Sequence, residues 1–130
     1  MSKIFFDHEK LSVYQKTIQF ILLVESIRKR MKFKVSIIDQ LDRASNSIAL
    51  NIAEGNGKFS GKDRCRYFDI ARGSAFECAS CLDILIIKKL ISDVEMEHGK
   101  ELLKEIVSML VGLIKSNSNR VYESSEEYGA

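Results

Sequence analysis

Cys78 and Cys81 stand in CxxC spacing, a pattern that can chelate zinc or cycle a disulfide. Zinc needs four ligands, and neither a second cysteine pair nor a nearby histidine completes the set. A redox pair sits at the turn before a helix, whereas these two continue a helical pattern. With Cys65 the thiols number three, an odd count in a chain without a secretion signal. Buried, reduced thiols are the expected state, because free cysteine behaves as a small hydrophobe. The segment Gly55-Asn56-Gly57-Lys58 sets flexible backbone beside a lysine, as a phosphate loop does. It lacks Walker spacing and a terminal Lys-Ser/Thr, and it follows a helix instead of a strand. A helix–helix turn is expected there, with Gly and Asn supplying positive φ angles. His8 and His98 have no companion ligands, and no E-x-x-H pair marks a di-metal site. No arrangement of Ser, His and Asp suggests a hydrolase. No catalytic residue, metal, cofactor or small-molecule substrate is therefore expected.

Two constellations of charge remain. Glu54 and Arg72 both stand among apolar or small residues, and a hairpin would let them meet as a partly buried, structural ion pair. Arg28, Lys29, Arg30, Lys32 and Lys34 form a basic cluster around Phe33. Such a cluster suits a helix C-terminus, and it is also the candidate contact for RNA or DNA.

The elements that would carry these groups are helices. There is no proline in 130 residues, which favours long uninterrupted helices and short connections. The first helix is expected over roughly 8–30, where residues 18–24 are apolar almost all round. One apolar face suffices for a helix of a monomeric bundle, so the surplus points to contact with other copies. Phe20, Leu23, Val24 and Ile27 are the expected interface. The second helix is expected over 36–54, with Ser36 and Asp39 as a weak capping pair and Gly55 as its closing residue. The third follows the cap Ser60 and continues to about Ile91. Its small residues Gly73, Ser74, Ala75, Ala79 and Ser80 allow close helix approach. Ser92-Asp93-Val94-Glu95 is a capping box opening the fourth, whose apolar seam ends near Lys115.

The fold class is therefore all-α, an antiparallel up-down four-helix bundle over residues 1–116. Residues 117–130 read as a polar, disordered tail. Apolar residues make up 45% and charged residues 29%, ordinary for one soluble domain. No apolar run is long enough for a membrane span, and a signal-peptide core is lacking, so a cytoplasmic setting is expected. The net charge of +2 divides unevenly. Residues 1–66 hold 13 basic against 7 acidic groups, and residues 67–130 hold 7 against 11. That is too modest for a dedicated nucleic-acid binder.

FDHEKLSVYQK, DQLDRASNSIALNIAEGNGK and DIARGSAFECASCLDIL together resemble the 23S rRNA intervening-sequence (S23) family of four-helix-bundle proteins. The likeness spans nearly the whole chain to about Ile114. It implies a ring-like homopentamer and supplies no enzyme activity. A related group includes the accessory variability determinant of diversity-generating retroelements, a reverse-transcriptase partner. The leading expectation is thus a non-enzymatic, oligomeric interaction or scaffold protein. A nucleic-acid-binding module or reverse-transcriptase accessory is the alternative. Two departures stand out: Ala49 replaces a proline often found in the second helix, and the retroelement proteins are more basic.

Overall fold

The structure, a computed structural model, describes the backbone of residues 3–127 and the side chains of residues 3–118. After a 3-10 turn at Asp7–Lys10 come four helices: α1 (Ser12–Lys29), α2 (Ser36–Asn56), α3 (Gly61–Ile87) and α4 (Asp93–Glu127). No strand occurs among the described residues. Helix α1 packs on α2 and α4, and α3 packs on the same two, so α1 and α3 lie diagonally across the bundle. Short connections make sequence neighbours antiparallel. Among the described residues, no helix is long and apolar enough to cross a membrane.

The helix ends show which local signals won. Ser60 caps α3 as expected, its hydroxyl accepting from the Asp63 amide at 3.1 Å. The Ser92–Glu95 box also forms, with the Glu95 amide donating to Ser92 Oγ (3.1 Å) and the Ser92 amide to Glu95 Oε1 (2.9 Å). Ser36, in contrast, lies inside α2, and the cap position belongs to Val35, which makes no side-chain bond. The first helix does not start at His8. Glu9 folds back to accept the amides of Phe5 (2.6 Å) and Phe6 (2.9 Å), and Leu11 is extended before α1 begins. Helix α3 stops at Ile87 and not near Ile91. Its end is a Schellman motif in which the Leu90 amide reaches Leu85 O and the Lys89 amide reaches Ile86 O, both at 3.0 Å. Lys89 takes the left-handed φ of 60° that this motif needs.

Gly55 is not the closing residue of α2 but a buried position within it. The helix ends on Gly57 with right-handed backbone (φ −83°), so the turn needs no positive φ there. What Gly55 supplies is space. A Cβ at that position would lie 2.9 Å from Phe68 Cε1 and 3.0 Å from Tyr67 Cβ, where α3 crosses. Phe68 is fully buried and has nowhere to go. Gly73 is the opposite case, with nothing within 4 Å of an added Cβ. Gly73→Ala should therefore raise subunit stability by about 0.5–1 kcal/mol, the usual helix gain. Gly55→Ala should lower it by about 1 kcal/mol despite the same gain, because overpacking costs about 1–3 kcal/mol. Urea unfolding of the two variants checks the opposite signs.

The core corrects the expected interface. Phe20 and Ile27 are 0% exposed and Val24 is 1%, all covered by the subunit's own helices. They cannot meet another copy while the bundle is folded. Leu23 is half-buried, packed toward Gly99 of α4. The solvent face of α1 is mostly polar (Gln15, Gln19, Ser26, Lys29), with Leu22 the exposed large apolar residue on it. Of the near-continuous apolar run of residues 18–24, Phe20 and Val24 lie in the core and Leu23 packs against it, while Ile18 and Leu22 line a shallow groove with Ile4. At the far end, α4 runs on past Lys115 to Glu127, through most of the segment read as a tail. Asn117, the first residue of that segment, is 3% exposed and belongs to the bundle. Residues 128–130 of the expected tail lie outside the described residues.

Candidate functional site

Cys78 and Cys81 face the core from α3, and burial pushes both thiols up, away from the reactive thiolate. Cys65, half-buried, lies 3.4 Å from Ile114 O. His8 packs edge-on to Tyr14 and stacks on Phe6, while His98 is exposed. Among the described residues no group of three His, Cys, Asp or Glu is gathered as metal ligands would be.

Glu54 and Arg72 do not pair. Glu54 lies 3.7 Å from Lys58, and Arg72 lies 3.5 Å from Asp69 and over the Phe76 ring. Helical geometry gives the reason. Ser74 faces α2, its hydroxyl 2.9 Å from that of Ser47. Arg72 sits two residues earlier, about 200° round the helix, and so points away from α2. Each charge takes a partner three or four residues away in sequence, Asp69 within α3 and Lys58 in the turn after α2.

The basic cluster stays together at one end of the bundle, but its guanidinium groups are occupied. Arg28 donates to Glu25 at 2.8 and 3.0 Å. Arg30 donates through Nη2 to Glu95 Oε1 (2.7 Å) and to Leu90 O (3.0 Å), tying the α1 end to the start of α4. Lys29, Lys32 and Lys34 remain exposed beside Phe33, which is 80% exposed. Lys34 lies 3.9 Å from Asp39. Exposed Lys88 and Lys89 share this end.

The hydrogen bonds from Arg30, reinforced by the Ser92 amide, hold the Glu95 carboxyl below its ordinary value of 4.5. A lowered folded pKa adds stability that is present above the unfolded value and lost as pH falls through the folded one. Glu95→Gln should therefore cost about 1 kcal/mol at neutral pH, the scale of a half-exposed ion pair, and progressively less as the pH falls below 4.5. Urea unfolding at neutral pH and at a series of values below 4.5 reads the decline.

Two features carry no signal in the sequence. The first joins three elements at the opposite end. Arg64 donates to Asn56 O (2.7 Å), Lys58 O (3.1 Å), Asn56 Oδ1 (3.2 Å) and Asn117 Oδ1 (3.0 Å). The second is the outward face of α3, where Ile70, Phe76, Ile84 and Ile87 are 46, 51, 38 and 77% exposed among Asp69, Glu77, Ser80 and Asp83. A groove of about 260 Å³ opens beside it between α3 and α4, floored by Ala75, Ala79, Leu103 and Val107.

A family model described as 23S rRNA-intervening sequence protein matches residues 9–112. The fold is similar to the crystal structure of a protein of unknown function from the S23 ribosomal protein family of Bacteroides thetaiotaomicron VPI-5482. The two share 27% identity with a TM-score of 0.72, over 79% of this chain and 98% of that one. Comparison with curated proteins gives no match. With the family model spanning most of the bundle, the chain belongs to the 23S rRNA-intervening sequence protein family.

Proposed function

We propose that this protein acts without catalysis, as a homo-oligomeric interaction scaffold whose copies clasp one another through the exposed face of α3. The observation that carries this reading is the row Ile70, Phe76, Ile84 and Ile87 on the outside of a helix whose inner face is already fully packed. Burying an apolar side chain of this size is worth about 1.5–3 kcal/mol, so a contact covering several of them supports a stable assembly. Five copies is the number that the family resemblance suggests. The test is Ile84→Glu/Ile87→Glu, two exposed positions whose change should leave helicity intact. Light scattering should show the assembly reduced to single subunits; an unchanged mass would remove α3 from the account.

A second reading, contact with nucleic acid, is favoured by the exposed Lys29, Lys32 and Lys34 around Phe33. A ring of copies would repeat this patch and raise avidity. Because Arg28 and Arg30 are engaged with Glu25 and Glu95, the lysines carry this reading. Lys32→Glu/Lys34→Glu should abolish retention of structured RNA at low salt, while Arg28→Gln should change it little. Retention untouched by the lysine changes would discard the patch.

A further inference from the structure

We infer that the end of the bundle carrying Phe5, Phe6 and Phe59 docks on an anionic phospholipid bilayer, the three rings entering between the head groups. The inference goes beyond the self-association proposed above and does not rest on it. Phe5, Phe6 and Phe59 are 72, 67 and 105% exposed, so the folded subunit gives none of them a place in its core. A single exposed apolar residue is ordinary, but three phenyl rings at one end of a bundle are not.

Their backbones are held in place. Glu9 accepts the amides of Phe5 (2.6 Å) and Phe6 (2.9 Å), and Ile4 lies in a shallow groove with Ile18 and Leu22 of α1. Phe59 stands in the α2–α3 turn, where Arg64 donates to the carbonyls of Asn56 (2.7 Å) and Lys58 (3.1 Å). The arm precedes α1 and the turn follows α2, which places both at the same end of antiparallel helices. Asn56 Nδ2 donates to Asp7 Oδ2 at 3.1 Å and stitches the two segments together. The rings are thus offered from fixed backbone, and little ordering entropy opposes their transfer.

Charge at this end suits an anionic surface. Residues 3–10 and 54–66 hold six basic against four acidic groups. Lys10 and Lys58 are paired with Asp7 and Glu54, and Glu9 is engaged with backbone amides. Lys3, Lys62 and Arg66 form no ion pair among the described residues, and against them stands Asp63. The excess is positive but small, so it needs the rings beside it. Peripheral attachment takes two such signals, apolar insertion together with a basic patch. A single-stranded nucleic acid also uses basic groups and rings, but it stacks its bases on free ring faces. Here Lys3 Nζ lies 5.4 Å over the Phe5 ring, and the His8 imidazole is stacked on Phe6 at 6.1 Å. With one face of each ring taken, they serve bases less well than acyl chains, which ask only for apolar area.

The chain contains no tryptophan, so Phe59→Trp places a single fluorescent reporter at a fully exposed position. With vesicles of equal parts phosphatidylglycerol and phosphatidylcholine its emission should shift to the blue, and with phosphatidylcholine alone far less. Co-sedimentation of the full-length protein with the mixed vesicles measures partitioning. Phe5→Ser/Phe6→Ser and Phe59→Ser should each lower it at least about tenfold, the scale of an apolar ring returned to water. Lys62→Gln/Arg66→Gln should lower it about 25-fold, since each basic group near an anionic surface is worth about fivefold. These positions are exposed, so helicity and subunit mass should stay at wild-type values. Emission unmoved by the mixed vesicles overturns the inference, as does wild-type partitioning by the ring variants. Retention of polyuridine RNA without vesicle binding overturns it in favour of nucleic acid. A ring variant of lower mass in light scattering overturns it in favour of contact between copies.

Discussion

Phe20→Ala is expected to cost the folded subunit about 3–5 kcal/mol, against a total of about 5–15 kcal/mol for a domain of this kind. Phe20 is 0% exposed, approaches Gly99 of α4 and lies in the same core as Leu41, Leu82 and Ile106. Truncation loses the transfer free energy of the ring and leaves a void that four packed helices fill poorly. Leu22→Ser, two residues on and 65% exposed, should change stability by no more than about 0.5 kcal/mol. Urea unfolding of the two variants separates the readings of α1. A stable Phe20→Ala subunit that had lost only its assembly would restore α1 as the interface.

Arg64→Ala is expected to cost about 3 kcal/mol, more than any single exposed ion pair could account for. The guanidinium bonds two carbonyls of the α2–α3 turn and the side chains of Asn56 and Asn117. Hydrogen bonds to a charged donor are worth about 1.5–3 kcal/mol each, although they do not add fully. Without Arg64, buried Asn117 keeps its own bond to Leu113 O at 2.7 Å but its acceptor oxygen is stranded. The loss should fray the last turns of α4 before the rest of the bundle. Hydrogen exchange would show this as faster exchange around residues 113–117 in the variant, with the α2–α3 core unchanged. Uniform loss of protection would instead mean that Arg64 supports the whole bundle.

The fold was legible because its signals are local and periodic. Ser60 and the Ser92–Glu95 box mark helix starts with their own hydrogen bonds, and the absence of proline leaves the periodicity unbroken. The surfaces were less legible. An apolar run such as residues 18–24 does not say which neighbour covers it. Here Phe20, Leu23 and Val24 pack into the core and Ile18 and Leu22 do not, while α3 turns Ile70, Phe76, Ile84 and Ile87 outward. Gly55 reads as a turn signal in the sequence, but its role is the approach of Phe68 from another helix. Pairing of charges failed for a similar reason. Glu54 and Arg72 fall on faces fixed by helix rotation, and the partners within one turn won. Asn117 sits among Ser and Asn residues and carries no apolar signal, so only the tertiary bond to Arg64 reveals it.

The mass of the wild-type protein in solution tests the central claim most directly. Light scattering at micromolar concentration should give a multiple of the 14.8 kDa subunit, and five copies would give 74 kDa. A single, stable 14.8 kDa species at that concentration would contradict self-association and every contact derived from it.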